Sequence, residues 1–171
     1  MTSIRACELP PDALLGKYQG AGGYADCYVS EIAGQVTQAE YVEAFYTTAV
    51  FKVERQLLAW FVSRPSTDVQ ARELATGNAS SFAAWSVEGR SANQLLLCDF
   101  QNRTRSWLMS EPCSAGTRLY FGSAVVPAVS RRTGTASMGP VFAALLGFHK
   151  LYSRVLLRAA ITRLARQAQP G

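Results

Sequence analysis

Few side chains in this sequence could carry chemistry, and they fall in two places. Asp99 and Arg105 stand on either side of Gln101-Asn102-Arg103. If those three residues form a hairpin loop, position 99 pairs with 105, 97 with 107 and 95 with 109. The carboxylate then meets the guanidinium on a face shared with Leu95, Leu97, Trp107 and Met109. An ion pair beside an aromatic and aliphatic wall suits a pocket for an apolar ligand with one polar head, because arginine can grip a carboxylate with two hydrogen bonds. At the exposed end of a hairpin the same pair would be a surface salt bridge adding about 0.2–1 kcal/mol. The second place is His149, the only histidine and the one side chain whose ordinary pKa allows proton transfer near neutrality. It falls one step off the packed face of a helix, where a cavity would use it as anchor or acid/base and a core edge would simply cover it. Tyr46, Trp85, Tyr120 and Tyr152 could add ring faces and polar tips to a ligand site, and at their spacing they serve equally as core.

Several chemistries are excluded by what is missing. A Ser-His-Asp set would have to use His149, and no GxSxG elbow presents a serine. Cys7, Cys27, Cys98 and Cys113 form no CxxC pair, and with a single histidine no zinc spacing can be assembled, so neither metal nor cofactor is expected. Gly20-Ala21-Gly22-Gly23-Tyr24-Ala25 matches the dinucleotide fingerprint on paper. That fingerprint needs a helix after it, and here a strand-like run follows. The carboxylates are scattered and give no glycosidase-like pair. The first fifteen residues have no apolar run of the secretory type, so a cytoplasmic location with free thiols is the expectation. The most apolar stretch, 138–148, ends at His149-Lys150 and falls short of the ~20 residues that a membrane span needs.

The 171 residues are 49% hydrophobic and 17% charged, enough apolar content for one globular core to hold these side chains in place. Residues 1–23 read as an irregular lead-in and 24–171 as a single domain. Residues 24–32 form a strand. The capping box of Thr37 and Glu40 starts a helix whose apolar stripe continues to the stop at Arg64-Pro65. Thr67 and Gln70 open a second, short helix that Gly77 closes. Four β-rich runs follow, at 82–88, 94–100, 104–110 and 117–126, with separators too short for parallel crossovers. Pro140 then starts a long helix to about Gln167. Its apolar face includes Val141, Leu145, Phe148, Tyr152, Val155, Leu156 and Ala159, and Lys150, Arg154 and Arg158 share another face. The fold class is α+β in two layers, an antiparallel sheet covered by helices.

Charge is divided along the chain. All twelve acidic residues lie at or before Glu111, whereas eight of the seventeen Lys and Arg residues follow it, within a net charge of +5. Lys150, Arg154 and Arg158 are therefore candidates for an anionic lipid surface, or simply a solvated helix face. Nucleic acid is disfavoured, since no recognition module accompanies the charge.

The element order over residues 24–167 resembles the START-like or SRPBCC superfamily, the helix-grip fold in which a curved antiparallel sheet wraps a long C-terminal helix. The runs from Phe148-His149-Lys150-Leu151-Tyr152-Ser153-Arg154 to Leu157-Arg158-Ala159-Ala160, with Gln94-Leu95-Leu96-Leu97 and Arg105-Ser106-Trp107-Leu108, are similar to a bacterial branch of that superfamily. In some members of that branch the domain is fused behind a reductase of the nucleoside-diphosphate-sugar epimerase type. The chain departs from the full fold in showing five clear strands. The resemblance implies a cavity between sheet and C-terminal helix for lipids, sterols, polyketides or other apolar molecules. It supports a ligand-binding domain but carries over no site residues of its own; the candidates singled out from the sequence are Arg105, Asp99, Trp107, His149, Tyr152, Tyr46, Trp85 and Tyr120. One alternative is an enzyme on the same scaffold, a cyclase, dehydratase or isomerase with His149 or Asp99 as acid/base. Another is a peripheral membrane or partner-binding module using the basic helix.

Overall fold

The computed structural model describes residues 3–20, 23–53, 66–126, 128–129, 136–137 and 140–168, the side chains of 128–149 excepted. It is an α+β fold. Seven antiparallel strands form one sheet in the order β1-β2-β7-β6-β5-β4-β3, with β1 at Arg5–Ala6, β2 at Tyr24–Ile32, β3 at Ser81–Phe82, β4 at Trp85–Arg90, β5 at Gln94–Asp99, β6 at Thr104–Cys113 and β7 at Gly116–Val125. Strands β8 (Ala128–Val129) and β9 (Ala136–Ser137) pair as a separate short ribbon.

The helix starts follow local hydrogen bonding. In α1 (Gln38–Tyr46) the Thr37 hydroxyl accepts from the Glu40 amide, and the Glu40 carboxylate accepts from the Thr37 amide at 2.8 Å. In α2 (Asp68–Thr76) Thr67 and Gln70 repeat that exchange, and Gly77 ends the helix in the left-handed region. The helix expected to run unbroken from 37 is interrupted. The Thr47 hydroxyl donates to the Glu43 carbonyl (2.6 Å) and the Thr48 hydroxyl to the Phe45 carbonyl (3.0 Å), closing α1. Thr48 Oγ1 then accepts from the Phe51 amide (3.2 Å), so it caps a new helical turn at 49–53. The expected stop at Arg64-Pro65 lies outside the described residues. The long terminal helix, α3, spans Pro140–Gln167.

The sheet departs from expectation at both ends. The run expected at 82–88 is split by a turn in which Ala83 takes φ +52°, leaving β3 and β4 as two short strands. Strand β6 runs three residues beyond the expected 104–110, β7 keeps the expected length but begins one residue earlier, and their turn is tight, with Cys113 opposite Gly116. Gly116 has φ +133°, and a Cβ there would sit 2.4 Å from the Ile32 carbonyl oxygen, so no other residue fits without moving β2.

Alternation along the strands separates two buried clusters. On one face Tyr28, Leu95, Leu97, Leu108, Leu119 and Phe121 pack against α1, α2 and the described half of α3 through Tyr41, Phe45, Leu74, Leu157 and Ile161. On the other, Cys27, Val29, Leu96, Trp107 and Met109 are covered by Ala13 and Leu15 of the N-terminal segment, with Cys7, Leu9, Leu14 and Tyr18 alongside. The sheet is thus covered on both faces, by helices on one and by the lead-in with its 3-10 helix, Leu14–Tyr18, on the other. Part of that lead-in also pairs with the sheet, as β1 against β2.

A dent at Gly122 admits the lead-in. A Cβ at this position would meet Leu15 Cδ2 and Trp107 Cε3 at 2.8 Å each. Gly122→Ala is therefore expected to destabilise the fold by about 1–3 kcal/mol in urea titration. Amide exchange should rise first across Leu14–Tyr18, the segment that has to lift away.

Candidate functional site

The hairpin that was to join Asp99 to Arg105 has a different register. Cys98 stands opposite Arg105, Leu97 opposite Ser106, Leu96 opposite Trp107 and Leu95 opposite Leu108. The loop has four residues rather than three because Asp99 caps it. Its Oδ1 accepts from the Arg103 amide (2.7 Å) and the Thr104 amide (3.1 Å), and Asn102 takes φ +59° inside the turn. A one-residue slip exchanges the faces of everything beyond it. Leu95 and Leu97 therefore face the helices, while Trp107 and Met109 face the lead-in. The expected Asp99–Arg105 pair is replaced by two separate structures.

Arg105 is 6% exposed and sits on the lead-in face. Its Nε lies 2.5 Å from Glu88 Oε2 and 2.9 Å from the Tyr18 hydroxyl, Nη2 reaches Asn102 Oδ1 at 2.5 Å, and the guanidinium lies 4.7 Å from the centre of the Tyr18 ring. Tyr18 in turn donates to Glu88 Oε1, and Lys17 Nζ lies 2.5 Å from the same oxygen. Burial alone would raise the Glu88 carboxyl, but hydrogen bonds from Lys17 and Tyr18 and the charge of Arg105 outweigh it and hold Glu88 below the ordinary carboxylate range. Burial disfavours the Arg105 charge as well, and Tyr18 and Glu88 overcome it, so the guanidinium stays firmly protonated. A carboxylate, two cations and a phenol in mutual contact satisfy one another. The cluster fastens the 3-10 helix to the sheet, together with Gln94, whose Oε1 accepts from the Leu14 amide and from Trp107 Nε1, each at 2.9 Å.

The opposite face leaves a cavity. One cross-strand row reads Asp26, Ser123, Ser106, Leu97, and the next reads Tyr28, Phe121, Leu108, Leu95. Large side chains fill the second row. Two serines cannot fill the first, and a space of about 170 Å³ remains between them and α3. Phe45, Phe51 and Phe121 form its apolar wall, Trp85 one side, and Tyr152, Ser153 and Leu156 of α3 its roof. Ser123 donates to Asp26 Oδ1 at 2.6 Å, Tyr24 donates to Asp26 Oδ2 at 3.2 Å, and Ser106 and the Tyr46 hydroxyl share a hydrogen bond of 3.1 Å. Desolvation, then the negative Asp26, push the Tyr24 phenol well up and the Tyr28 phenol up, so both remain neutral. Trp85 Nε1 is buried and has no hydrogen-bond partner among the described residues.

The sequence-derived candidates are thus divided. Trp85 and Tyr152 border the cavity, and Tyr46 reaches its floor through Ser106. Arg105 also borders it, but its guanidinium points to the other face, where Trp107 and Tyr120 lie as well. Tyr120 donates to Glu111 there at 3.0 Å. Asp99 is committed to its turn. The side chain of His149 lies outside the described residues. Lys150, Arg154 and Arg158 are exposed, and Arg154 lies over the Tyr28 ring at 5.4 Å. Asp26, Ser106, Ser123 and Gln94 were missed. The signal available for the serines was small polar residues at alternate positions of otherwise apolar strands.

Two larger grooves, about 540 and 500 Å³, flank the C-terminal end of α3, one carrying Arg163 and Arg166 and the other running past Ile32, Val36 and Leu164. Among the described residues no helix is long and apolar enough to cross a membrane, and no group of three or more His, Cys, Asp or Glu could hold a metal ion. No family model and no curated protein matches this chain.

The Glu88 cluster gives a pH prediction with a definite sign. A carboxyl held below its ordinary value, near 4.5, contributes stability that is fully present above that pH and is lost as the pH falls through the lower, folded-state value. Glu88→Ala should cost about 3 kcal/mol at pH 7, since it strands a buried guanidinium. In urea titrations the deficit relative to the parent chain should shrink steadily below pH 4.5.

Proposed function

We propose that this is a ligand-binding domain of the helix-grip kind, whose ligand places a small, largely apolar group in the cavity between the sheet and α3. The single observation that carries this reading is a cavity walled by phenylalanines and bordered by Trp85, whose buried Nε1 has no partner among the described residues. A donor left unpaired in the interior costs about 1–3 kcal/mol, which an acceptor on a ligand would recover. The arrangement of a seven-stranded antiparallel sheet with a terminal helix packed across β2 and β7 supports kinship with the helix-grip folds.

The cavity sets the size of the group. A space of roughly 150 Å³ accommodates benzene, whereas pockets for drug-sized ligands run to about 300–1,000 Å³. At about 170 Å³ this one takes a single ring or a short branched chain. Sterol or polyketide frameworks, which the family resemblance suggested, exceed it. An acceptor on that group, a carbonyl, ether or phenol oxygen, would pair with Trp85 Nε1 once the indole turns toward it, and the aromatic wall selects against charge.

Thermal shift and calorimetric titration with a panel of single-ring compounds bearing one such oxygen test the reading. Binders should raise the melting temperature. Trp85→Phe, which keeps a ring and removes the donor, should weaken them about 3- to 10-fold. Leu156→Trp, which fills the space from the roof, should abolish binding while the chain stays folded. A panel without a binder, or binding indifferent to Leu156→Trp, would sink the proposal.

A second reading rests on the outer face of α3. Leu151 and Val155 are 61% and 40% exposed and stand among Lys150, Arg154 and Arg158. Cations interleaved with exposed aliphatics fit an anionic lipid surface. Co-sedimentation with phosphatidylserine vesicles should then fall steeply with salt and vanish in the Leu151→Ser, Arg154→Ser, Arg158→Ser variant. Unchanged binding in either arm removes this reading and leaves the cavity proposal intact.

A further inference from the structure

A pair of cysteines on the lead-in face stands apart from the cavity and from the Arg105 cluster. Strand β1 pairs with β2 with Arg5 opposite Val29 and Ala6 opposite Tyr28, and the same register puts Cys7 opposite Cys27. The Cys7 amide donates to the Cys27 carbonyl at 3.0 Å, which extends the ladder by one step. The two Sγ atoms are 3.1 Å apart. Residues directly opposed in an antiparallel pair have Cα atoms ~4.5–5.5 Å apart, inside the ~4.4–6.8 Å that a disulfide spans. Bond formation requires the sulfurs to close by about 1 Å, with no movement of strands. Cys27 is 3% exposed, whereas Cys7 is only half-buried, so a reagent from solution meets Cys7 first. The remaining thiols are placed differently: Cys98 contacts Asn102 in the β5–β6 turn, and Cys113 lies at the end of β6.

We propose that Cys7 and Cys27 are a redox pair, which a small-molecule disulfide such as oxidised glutathione converts to a disulfide that staples the N-terminal segment to β2. In the first step the Cys7 thiolate attacks one sulfur of the oxidant, forms a mixed disulfide and expels one glutathione thiolate. In the second the Cys27 thiol loses its proton and attacks the Cys7 sulfur, expelling the second glutathione thiolate. Two protein thiols are oxidised, one glutathione disulfide is reduced to two thiols, and the two released protons end on them. The order of attack follows from the surroundings. The hydrogen bond with Cys27, aided by Arg5, holds the Cys7 thiol below its ordinary range, and the same bond together with burial pushes Cys27 far up. Cys7 therefore reacts with the oxidant, and Cys27 resolves the mixed disulfide from within the sheet.

The bond would matter for the segment it closes. Cys7 and Cys27 are 20 positions apart, and between them lies the 3-10 helix that covers Trp107 and reaches Arg105. In the reduced chain that segment is held by packing, Gln94 and the Glu88 cluster. In the oxidised chain both of its ends are fixed.

The full chain, incubated with oxidised glutathione and then alkylated under denaturing conditions, tests this. The expected result is a loss of about 2 Da, two alkylated thiols, and a peptide map joining Cys7 to Cys27. The melting temperature should rise by about 5 °C or more. Cys7→Ser should lose both effects, and the Cys98→Ser, Cys113→Ser double variant should retain both. Four alkylated thiols after oxidation would overturn the proposal. So would a mixed disulfide at Cys7 that never resolves, or a crosslink through Cys98 or Cys113.

Discussion

The register of β5 against β6 decides what each face of the sheet can do. With Cys98 opposite Arg105 and Leu97 opposite Ser106, the odd-numbered positions of β6 carry Arg105, Trp107 and Met109 to one side and the even-numbered positions carry Ser106 and Leu108 to the other. Ser106 then meets Ser123 of β7 in the row under the helices, and the guanidinium next to it is turned away. Slip the pair by one residue and Arg105 would enter the aromatic interior while Trp107 faced α3. A charge in that interior without Glu88 would cost several kcal/mol, so the ionic cluster and the cavity enforce each other's placement.

Covering both faces has a consequence for rigidity. A sheet with one solvated face can flex toward the solvent, and this one is gripped on the lead-in side by Leu15 in the Gly122 dent, by Gln94 and by the Glu88–Arg105–Tyr18 contacts. On the helix side Phe45, Tyr46, Phe51, Phe82 and Phe121 pack ring against ring, with centroids from 4.8 to 6.2 Å apart. Aromatic contacts of this kind prefer defined tilts, so the wall of the cavity cannot slide inward cheaply.

What could be read from the sequence was whatever its neighbours along the chain determine. The caps at Thr37/Glu40 and Thr67/Gln70, the stop at Gly77, the start at Pro140 and the antiparallel order of the last four long strands all follow from residues a few positions apart. The misreading of Asp99 was also local, and instructive. The spacing fits a three-residue loop, but the carboxylate that looks like a partner for Arg105 instead accepts two backbone amides and lengthens the turn by one. The break in the first helix came from two adjacent threonines whose hydroxyls take up backbone carbonyls. The role of the lead-in was not legible at all. It has no periodicity, and the groups that hold it, Gln94, Gly122 and Arg105, lie some 80 or more positions away. A cavity was implied only by the resemblance to the helix-grip fold, and its serine floor was not implied at all, because small polar residues in a strand signal nothing until the partner strand shows them side by side.

A space between apolar walls ordinarily narrows, since the walls gain dispersion contacts by closing on it. Here the hydroxyls oppose that collapse. Ser123 is tied to Asp26 and Ser106 to Tyr46, so neither side chain is available to swing into the space, and the backbone beneath them is fixed by ten cross-strand pairs between β6 and β7. The polar floor also makes the space hospitable to water, which needs two or more partners and about 30 Å³ per molecule. Water next to three phenylalanine rings has few partners on that side and is held weakly. Under the proposed reading, a ligand with an apolar ring and one acceptor would displace it with little enthalpy lost, gain dispersion contacts along the wall, and offer Trp85 Nε1 a partner that the described residues do not supply.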